Sequence, residues 1–489
     1  MSGRRATITH GEVPANRWRI LVTVLFGLFT VNLTVTILAV SIHRIARELG
    51  TSEPTMTWVV TGPMLAFGVI GPLVGKLGDR LGHRRVYLWG LAGAAVMAAA
   101  SALAWNAGSL IGFRTLGAIE GAATGPASFA VISRIFPRHE RVKALGYWSM
   151  VAAGAPVIGV VAGGPLVEAF GWRAIFVGQV PLIAVALVFA YRLLPETPRQ
   201  SAGRFDLAGA ALMALGVTPL LFALSESSRV GWFAPPVVAS LVIGPCALAA
   251  FVRVERRAAH PLLPLRYVSR PGFSFAIGTQ ALLNAAYMGS FILTPLLLQN
   301  VLGYSETKTG LVSIARPLAF SIAGPAAGMV VLRIGARRTA TVGSLAVVGA
   351  LGWMATLGAG SSAPLIMGGL ALAGVGMGIA MPPLAASVTV SVDESDLGIA
   401  GAAQQMMIQV GVVFGIQVMQ SVQQARIPAD GVAGSYHAGY LAGLAVAVVA
   451  VGCATRIASA VRAPASATAD GDDGVPEREP LPVEPLPVL

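Results

Sequence analysis

About two thirds of the 489 residues fall into apolar runs of about twenty, and all but a few charged residues lie in the links and tails outside them. A run of that length has one economical fold, a helix crossing about 30 Å of hydrocarbon, because lipid offers backbone N–H and C=O groups no partner. Hydrophobic residues make up 55% of the chain and charged residues 11%, too few charges to clothe the soluble domains a chain this long would need. The sequence therefore predicts an all-α integral membrane protein. Fourteen spans are expected. Six lie near 19–41, 55–75, 86–105, 109–133, 144–168 and 174–195, and two near 206–225 and 234–253. The last six lie near 273–300, 308–332, 339–358, 363–387, 397–420 and 438–458.

The basic residues test that topology. With both termini in the cytoplasm, 26 of the 34 Lys and Arg fall in cytoplasmic segments or span ends, and six fall outside. Arg114 and Arg316 remain within spans. One missed helix would invert every later link, so this asymmetry supports the orientation. The net charge of +12 follows the links and forms no patch, so a nucleic-acid partner is not expected. The first apolar run has no small-residue cleavage site and reads as a spanning helix instead of a signal peptide.

The chain also repeats itself. Residues 70–85 (IGPLVGKLGDRLGHRR) lie over 323–338 (AGPAAGMVVLRIGARR) without gaps, with seven of sixteen positions identical. An internal duplication explains that register, and such repeats build secondary transporters. The boundaries that follow are an N-terminal six-helix half at 19–195, an inserted helix pair at 206–253 and a C-terminal half at 273–458. Residues 1–18 form a cytoplasmic lead-in. The Ala-, Pro- and acid-rich stretch at 463–489 lacks helical periodicity and is expected to be a disordered cytoplasmic tail.

The first copy, with Gly75, Leu77, Asp79, Arg80, Gly82, His83 and Arg84 in place, resembles the GxLaDrxGrkxxl signature of the major facilitator superfamily. That resemblance implies a 6+2+6 arrangement with internal pseudo-symmetry. It also implies that Gly75, Asp79, Arg80, Gly82, Arg84 and Arg85 act as a conformational latch. In the fifth span Gly159, Gly163 and Gly164 resemble the antiporter motif gxxxGPxxGG, with Val160 in place of its proline. Trp172-Arg173, Phe205-Asp206, His260-Pro-Leu-Leu-Pro-Leu-Arg266, and Gln299 with Gly303-Tyr304-Ser305 extend the resemblance to the fourteen-helix drug:proton antiporter branch.

Ionisable groups at mid-membrane are costly and mark function by default. Glu120 is the acid deep within a span, and Arg114 lies six residues before it, about 9 Å along the helix. Gly117 lies between them in angle and leaves room for the Arg side chain to approach. The pair reads either as a structural ion pair or as a proton site tuned by its arginine. The run Arg114–Pro126 resembles the family's RxxQGxgaA motif, which implies a part for Arg114 in proton transfer. Where the antiporter branch usually carries a first-helix Asp, this chain has Asn32, which cannot release a proton. Any proton coupling must then have moved, and Glu120 is the acid left to carry it.

Polar stripes complete the reading. Gln280, Asn284 and Tyr287 recur at i, i+4 and i+7 on one helix face, and Gln405 and Gln409 form a second pair. Cavity lining and interhelical hydrogen bonding both explain them. With Asn32 and Thr36 they make up the expected substrate surface. All six histidines fall in the tail or links, and Cys246 and Cys453 lack metal-ligand spacing, so neither metal nor cofactor is expected.

The expected function is proton-coupled efflux of a lipophilic small molecule across the bacterial inner (plasma) membrane, by a monomer alternating between inward- and outward-open states. The alternative is a dedicated exporter of one metabolite, lipid or antibiotic, uncoupled from protons because Asn32 replaces the acid. An enzyme is not expected, since convergent catalytic groups are lacking.

Overall fold

The structure is a computed structural model that describes residues 14–196, 207–258, 265–358, 360–393 and 397–457. The 463–489 tail, Phe205-Asp206 and His260–Pro264 therefore lie outside the described residues.

The first set of helices comprises α1 (Arg17–Glu48), α2 (Glu53–Leu81), α3 (His83–Ala102), α4 (Ala107–Gly121), α5 (Thr124–Ile135), α6 (Arg138–Phe170) and α7 (Arg173–Leu193). A pair follows, α8 (Leu207–Val230) and α9 (Pro235–Glu255), and then the short α10 (Leu265–Val268). The last set is α11 (Pro271–Asn300), α12 (Glu306–Ser313), α13 (Ala315–Ile334), α14 (Ala336–Ala355), α15 (Ala363–Val390) and α16 (Leu397–Ala454). Among the described residues six helices are long and apolar enough to cross a membrane.

The expected spans map onto these helices with two breaks and one fusion. The fourth span is split between α4 and α5, where Pro126 has no N–H to bond the carbonyl four residues back. Thr124 Oγ1 donates to the Gly121 carbonyl there at 2.7 Å, taking up one of the loosened acceptors. The tenth span is split at Ile314, three residues before Pro317. The 58 residues of α16 would run about 87 Å as one rod, far more than a bilayer, so it must be two crossings. It bends at Gly431, whose φ is +69°.

The duplication has a backbone counterpart. Gly82 joins α2 to α3 at φ +95°, ψ 130°, and Gly335 joins α13 to α14 at φ +85°, ψ 160°. These equivalent positions share a conformation essentially reserved for glycine, so each copy reverses by the same device.

Helix α11 is the most buried of the membrane-length helices, packing against α16, α15 and α1. Gly411 and Gly415 of α16 lie directly on the backbone of Ala281 and Ala285. Lipid gives no hydrophobic drive for helix association, so such close backbone approach is a main source of packing energy. The pair α8–α9 interlocks through Gly216 against Leu248 and Gly244 against Leu220. From there α8 reaches both α2 and α16, with Met213, Val217, Met406 and Val413 in one buried cluster.

Nothing lies within 4 Å of a Cβ built at Gly335, so a substitution there isolates backbone strain from crowding. Gly335→Ala should lower stability by about 1–3 kcal/mol without altering contacts. Thermal unfolding in detergent checks this; an unchanged midpoint would show that the reversal does not depend on glycine.

Candidate translocation pathway

The bundle has a near end, where α1 begins, and a far end, where α1 stops and α2 starts. At the far end the two helix sets are tied together. Glu53, in the first turn of α2, accepts from Asn300 Nδ2 of α11 at 2.9 and 3.1 Å through its two carboxylate oxygens. His43 Nδ1 of α1 stands 2.8 Å from the same carboxylate. Asn300 also donates to the Tyr436 hydroxyl at 3.0 Å, and Gln299 Nε2 to the Val40 carbonyl at 2.7 Å. A second tie joins α6 to α12. Thr307 N and Oγ1 donate to the two oxygens of Glu168 at 2.9 and 2.7 Å.

Below these ties α2 and α16 are zipped together. Gln420 Nε2 donates to Thr57 Oγ1 at 2.8 Å and Gln417 Nε2 to Thr61 Oγ1 at 3.4 Å. Further down, a Cβ on Gly68 would stand 2.6 Å from Gln409 Cβ, so the helices touch without room for a side chain. From Thr57 to Gly68 the zipper runs about 16 Å, half a bilayer.

Among the described residues, the polar ties at the near end have a different pattern, joining residues of the same set. Arg84 Nη2 donates to the Tyr191 carbonyl at 2.8 Å, and Arg84 and Arg85 flank Glu196 at 3.6 and 3.7 Å. Arg17 pairs with Glu140 at 2.8 Å. In the last set Tyr267 donates to Asp393 at 2.8 Å, and Arg270 lies 3.6 Å away. The Tyr267 hydrogen bond, then the Arg270 charge, holds the Asp393 carboxyl below the usual carboxylate range.

The expected site residues divide among these regions. Of the latch, Arg84 and Arg85 bind Glu196 as described, Arg80 is exposed at the end of α2, and Gly82 forms the reversal. Gly75, Asp79, Asn32, Thr36 and Glu120 lie on described helices, but their side chains are outside the described set. Glu120 is the penultimate residue of α4, beside the break before α5. Arg114 stacks 5.8 Å from the Phe176 ring, and its Nε has no hydrogen-bond partner. The gap expected at Gly117 is occupied, since a Cβ there would stand 3.0 Å from Met97 of α3.

The glycine motif of α6 divides its work. Gly159 is buried, and Gly163 faces Ile37 of α1, a Cβ there standing 2.7 Å from Ile37 Cγ2. Gly164 faces the other set: a Cβ would stand 2.6 Å from the Glu306 carbonyl oxygen and from Thr307 Cα. Its missing side chain is what lets α6 and α12 meet, backbone to backbone, beside the Glu168–Thr307 tie.

Of the polar stripe, Gln280 is fully buried and its Oε1 accepts from Gln404 Nε2 of α16 at 2.8 Å, an interhelical bond. Asn284 donates to the Gln280 carbonyl at 2.9 Å, and Tyr287 stacks near Phe320 and Arg316. Gln405 is exposed and Gln409 backs onto Gly68. Of the far-end seal, Gln409, Gly164 and Gln299 were singled out from sequence, while Glu53, Asn300, Glu168, Thr307, Gln417 and Gln420 were not. Gln409, Gln417 and Gln420, eight and eleven apart on one helix face, carried a usable signal. Glu53 did not, since an acid after a Ser52 cap is explained locally.

Comparison with known proteins completes the description. A family model described as the Major Facilitator Superfamily matches residues 24–416. Over 415 residues, 84% of this chain and 76% of the relative, it is 31% identical to the tetracenomycin C resistance and export protein of Streptomyces glaucescens. It is 31% identical over 452 residues, 88% of each chain, to the puromycin resistance protein pur8 of Streptomyces alboniger. It is 30% identical over 405 residues to the multidrug resistance protein Stp of Mycobacterium tuberculosis, covering 82% and 75% of the two chains. Among solved structures, a bacterial homologue of the human lysosomal transporter Spinster matches with TM-score 0.68 at 15% identity, over 91% and 97% of the chains. The peptide transporter POT in complex with sulfate matches with TM-score 0.67 at 15% identity, over 90% and 95%. At that identity the likeness carries the fold alone.

A side chain at Gly164 has no space without separating the sets at the far end. In a Glu168→Cys/Thr307→Cys pair, on a Cys246→Ser/Cys453→Ser background, oxidative crosslinking should be near complete. Adding Gly164→Val should reduce the crosslinked fraction several-fold. An undiminished yield would mean that the far-end closure does not depend on this glycine.

Proposed function

We propose, for a chain that belongs to the Major Facilitator Superfamily, that it expels lipophilic small molecules by alternating access, driven by inward proton flow. It is a multi-pass membrane transporter of small-molecule substrates and not an enzyme. The relatives named for antibiotic resistance and export support the outward direction. With the termini in the cytoplasm of a bacterial inner membrane, the far end is the external face. The tied far end is the observation that carries the cycle. The Glu53–Asn300 and Glu168–Thr307 ties and the α2–α16 zipper hold the sets together there. Such a state would load substrate from the cytoplasm, as an exporter must.

Each tie across the seal is weak enough to exchange. Interhelical hydrogen bonds in membranes contribute about 0.6 kcal/mol on average, and a carboxylate acceptor somewhat more. A handful sum to a few kcal/mol, comparable with the free-energy gap between interconverting states. Breaking them opens the far end; the latch residues Asp79, Arg80, Arg84 and Arg85 would then hold the near end shut. Glu120 would carry the proton next to the α4–α5 break, with Arg114 tuning its affinity. Asn32, Thr36, Asn284, Tyr287 and Gln405 would contribute to the substrate surface.

A second reading, a dedicated exporter of one compound, is favoured by relatives named for single antibiotics and by Asn32 in the first helix. Efflux of the neutral lipophilic dye Nile red, measured with and without a pH gradient, separates the two. The parent should show gradient-driven efflux, and Glu120→Gln should lose most of the gradient dependence. Gradient-driven efflux that is unchanged in Glu120→Gln would reject the proton assignment. Efflux indifferent to the gradient in the parent would reject coupling itself.

A further inference from the structure

Arg316 is fully buried, at 0% exposure, immediately after the break between α12 and α13. A guanidinium has five N–H donors arranged in one plane. Nη1 donates to the Tyr287 carbonyl at 3.1 Å and to Ser290 Oγ at 2.8 Å. The other two nitrogens, Nε and Nη2, have no hydrogen-bond partner. They share one edge, the edge along which arginine grips a carboxylate through two parallel bonds. Among the described residues no acidic side chain pairs with that edge.

Two aromatic rings lie near the guanidinium, while its buried Nε–Nη2 edge has no hydrogen-bond partner. The Tyr287 ring centroid stands 5.1 Å from Cζ and that of Phe291 4.7 Å. Aromatic faces offset part of the cost of burying the cation, but they leave in-plane N–H groups unsatisfied. A purely structural arginine tying α13 to α11 needs only the two Nη1 bonds. On the opposite side of α13, Gly374 of α15 lies directly against the Arg316 backbone, so the side chain extends toward α11. Tyr287 and Phe291 each keep 7% exposure, so the guanidinium lies one side chain beneath the surface of α11. That helix is also the one whose end, through Gln299 and Asn300, meets the first set.

We propose that the Nε–Nη2 edge of Arg316 is an anion-recognition site, taking the carboxylate of a lipophilic aromatic substrate whose rings stack against Tyr287 and Phe291. The proposal rests on the efflux reading and narrows its substrate class from lipophilic molecules to lipophilic organic anions. Access requires the Tyr287 ring to swing aside, which its position at the surface of α11 permits. Binding is then competitive with closure of that ring over the guanidinium.

The test uses the full chain in detergent and three probes of matched shape. They are 2-naphthoate, its methyl ester and the 2-naphthyltrimethylammonium cation, with binding measured by equilibrium dialysis. The parent should bind naphthoate at least tenfold more tightly than the ester or the cation. Arg316→Gln should lose that tenfold preference while its affinity for the ester changes less than twofold. Arg316→Lys should keep only part of it, because a point charge cannot make the two-bond grip. Equal binding of acid and ester by the parent overturns the proposal without any variant, so it stays decidable if Arg316→Gln does not fold. A preference that survives in Arg316→Gln overturns it equally, as does failure of all three probes to bind. Efflux of the neutral dye Nile red by cells making the parent separates the two levels. Efflux retained without an acid preference sinks this site alone, and no efflux of any probe sinks the efflux reading beneath it.

Discussion

Hydrocarbon accepts no hydrogen bonds and supplies no hydrophobic drive between helices, and the rest of this molecule is arranged around those two facts. The first makes every membrane-crossing segment helical, and the two breaks within spans lie near Pro126 and Pro317. The second puts the burden of cohesion on close contact. Helices meet where a glycine removes the side chain between them: Gly411 and Gly415 on α11, Gly163 on α1, Gly164 on α12, Gly68 on α16. Contacts of this kind within one set can be permanent. Those between the sets must come apart, and there the backbone approach is joined by polar pairs whose partners can be replaced by water.

That distinction explains why the seal at the far end is chemically unlike the core. Glu53, His43, Asn300 and Tyr436 lie near helix ends, where an open state would hydrate them. Thr57, Thr61, Gln417 and Gln420 continue the polar strip inward. An apolar zipper in the same place would gain nothing from water on opening and would hold one state too firmly. Neutral amides and hydroxyls lose one partner and gain another, so the two states stay within reach of a modest driving force. The Arg84–Glu196 and Arg17–Glu140 pairs at the near end lie within one set, so they need not break in this conformation.

The parts of this arrangement that follow from local physics were legible in the sequence. Run lengths gave the helices. The register of residues 70–85 over 323–338 anticipated that Gly82 and Gly335 would reverse the chain alike. What was not legible depends on which way an apolar helix is turned. Gln280, Asn284 and Tyr287 share a face as their spacing requires, yet Gln280 binds Gln404 while Tyr287 covers Arg316. A helix apolar on every side carries no phase, so spacing alone cannot separate lining from packing. The Glu53–Asn300 tie joins residues 247 apart, each with an adequate local explanation as an end-of-helix polar group. Arg316 stood out as a charge within a span, but its free edge depends on what Nη1 binds, and only the fold sets that.

Charge balance along the pathway gives the remaining step. Where the family resemblance leads one to expect a first-helix carboxylate, this chain has Asn32, while Arg114 and Arg316 both persist within helices. Neither arginine has a full set of partners: Nε of Arg114 and the Nε–Nη2 edge of Arg316 are unsatisfied. A buried cation left in this condition is expensive, and the cost falls when an anion arrives. On the proposed reading, a pathway that loses an acid and keeps its cations would favour a ligand that brings negative charge over the cationic dyes a carboxylate-lined cavity would take. The same balance bears on coupling. A substrate anion beside Arg316 would change the field felt by any titrating group in the first set. Proton release and substrate binding could then oppose each other through space, without a shared side chain.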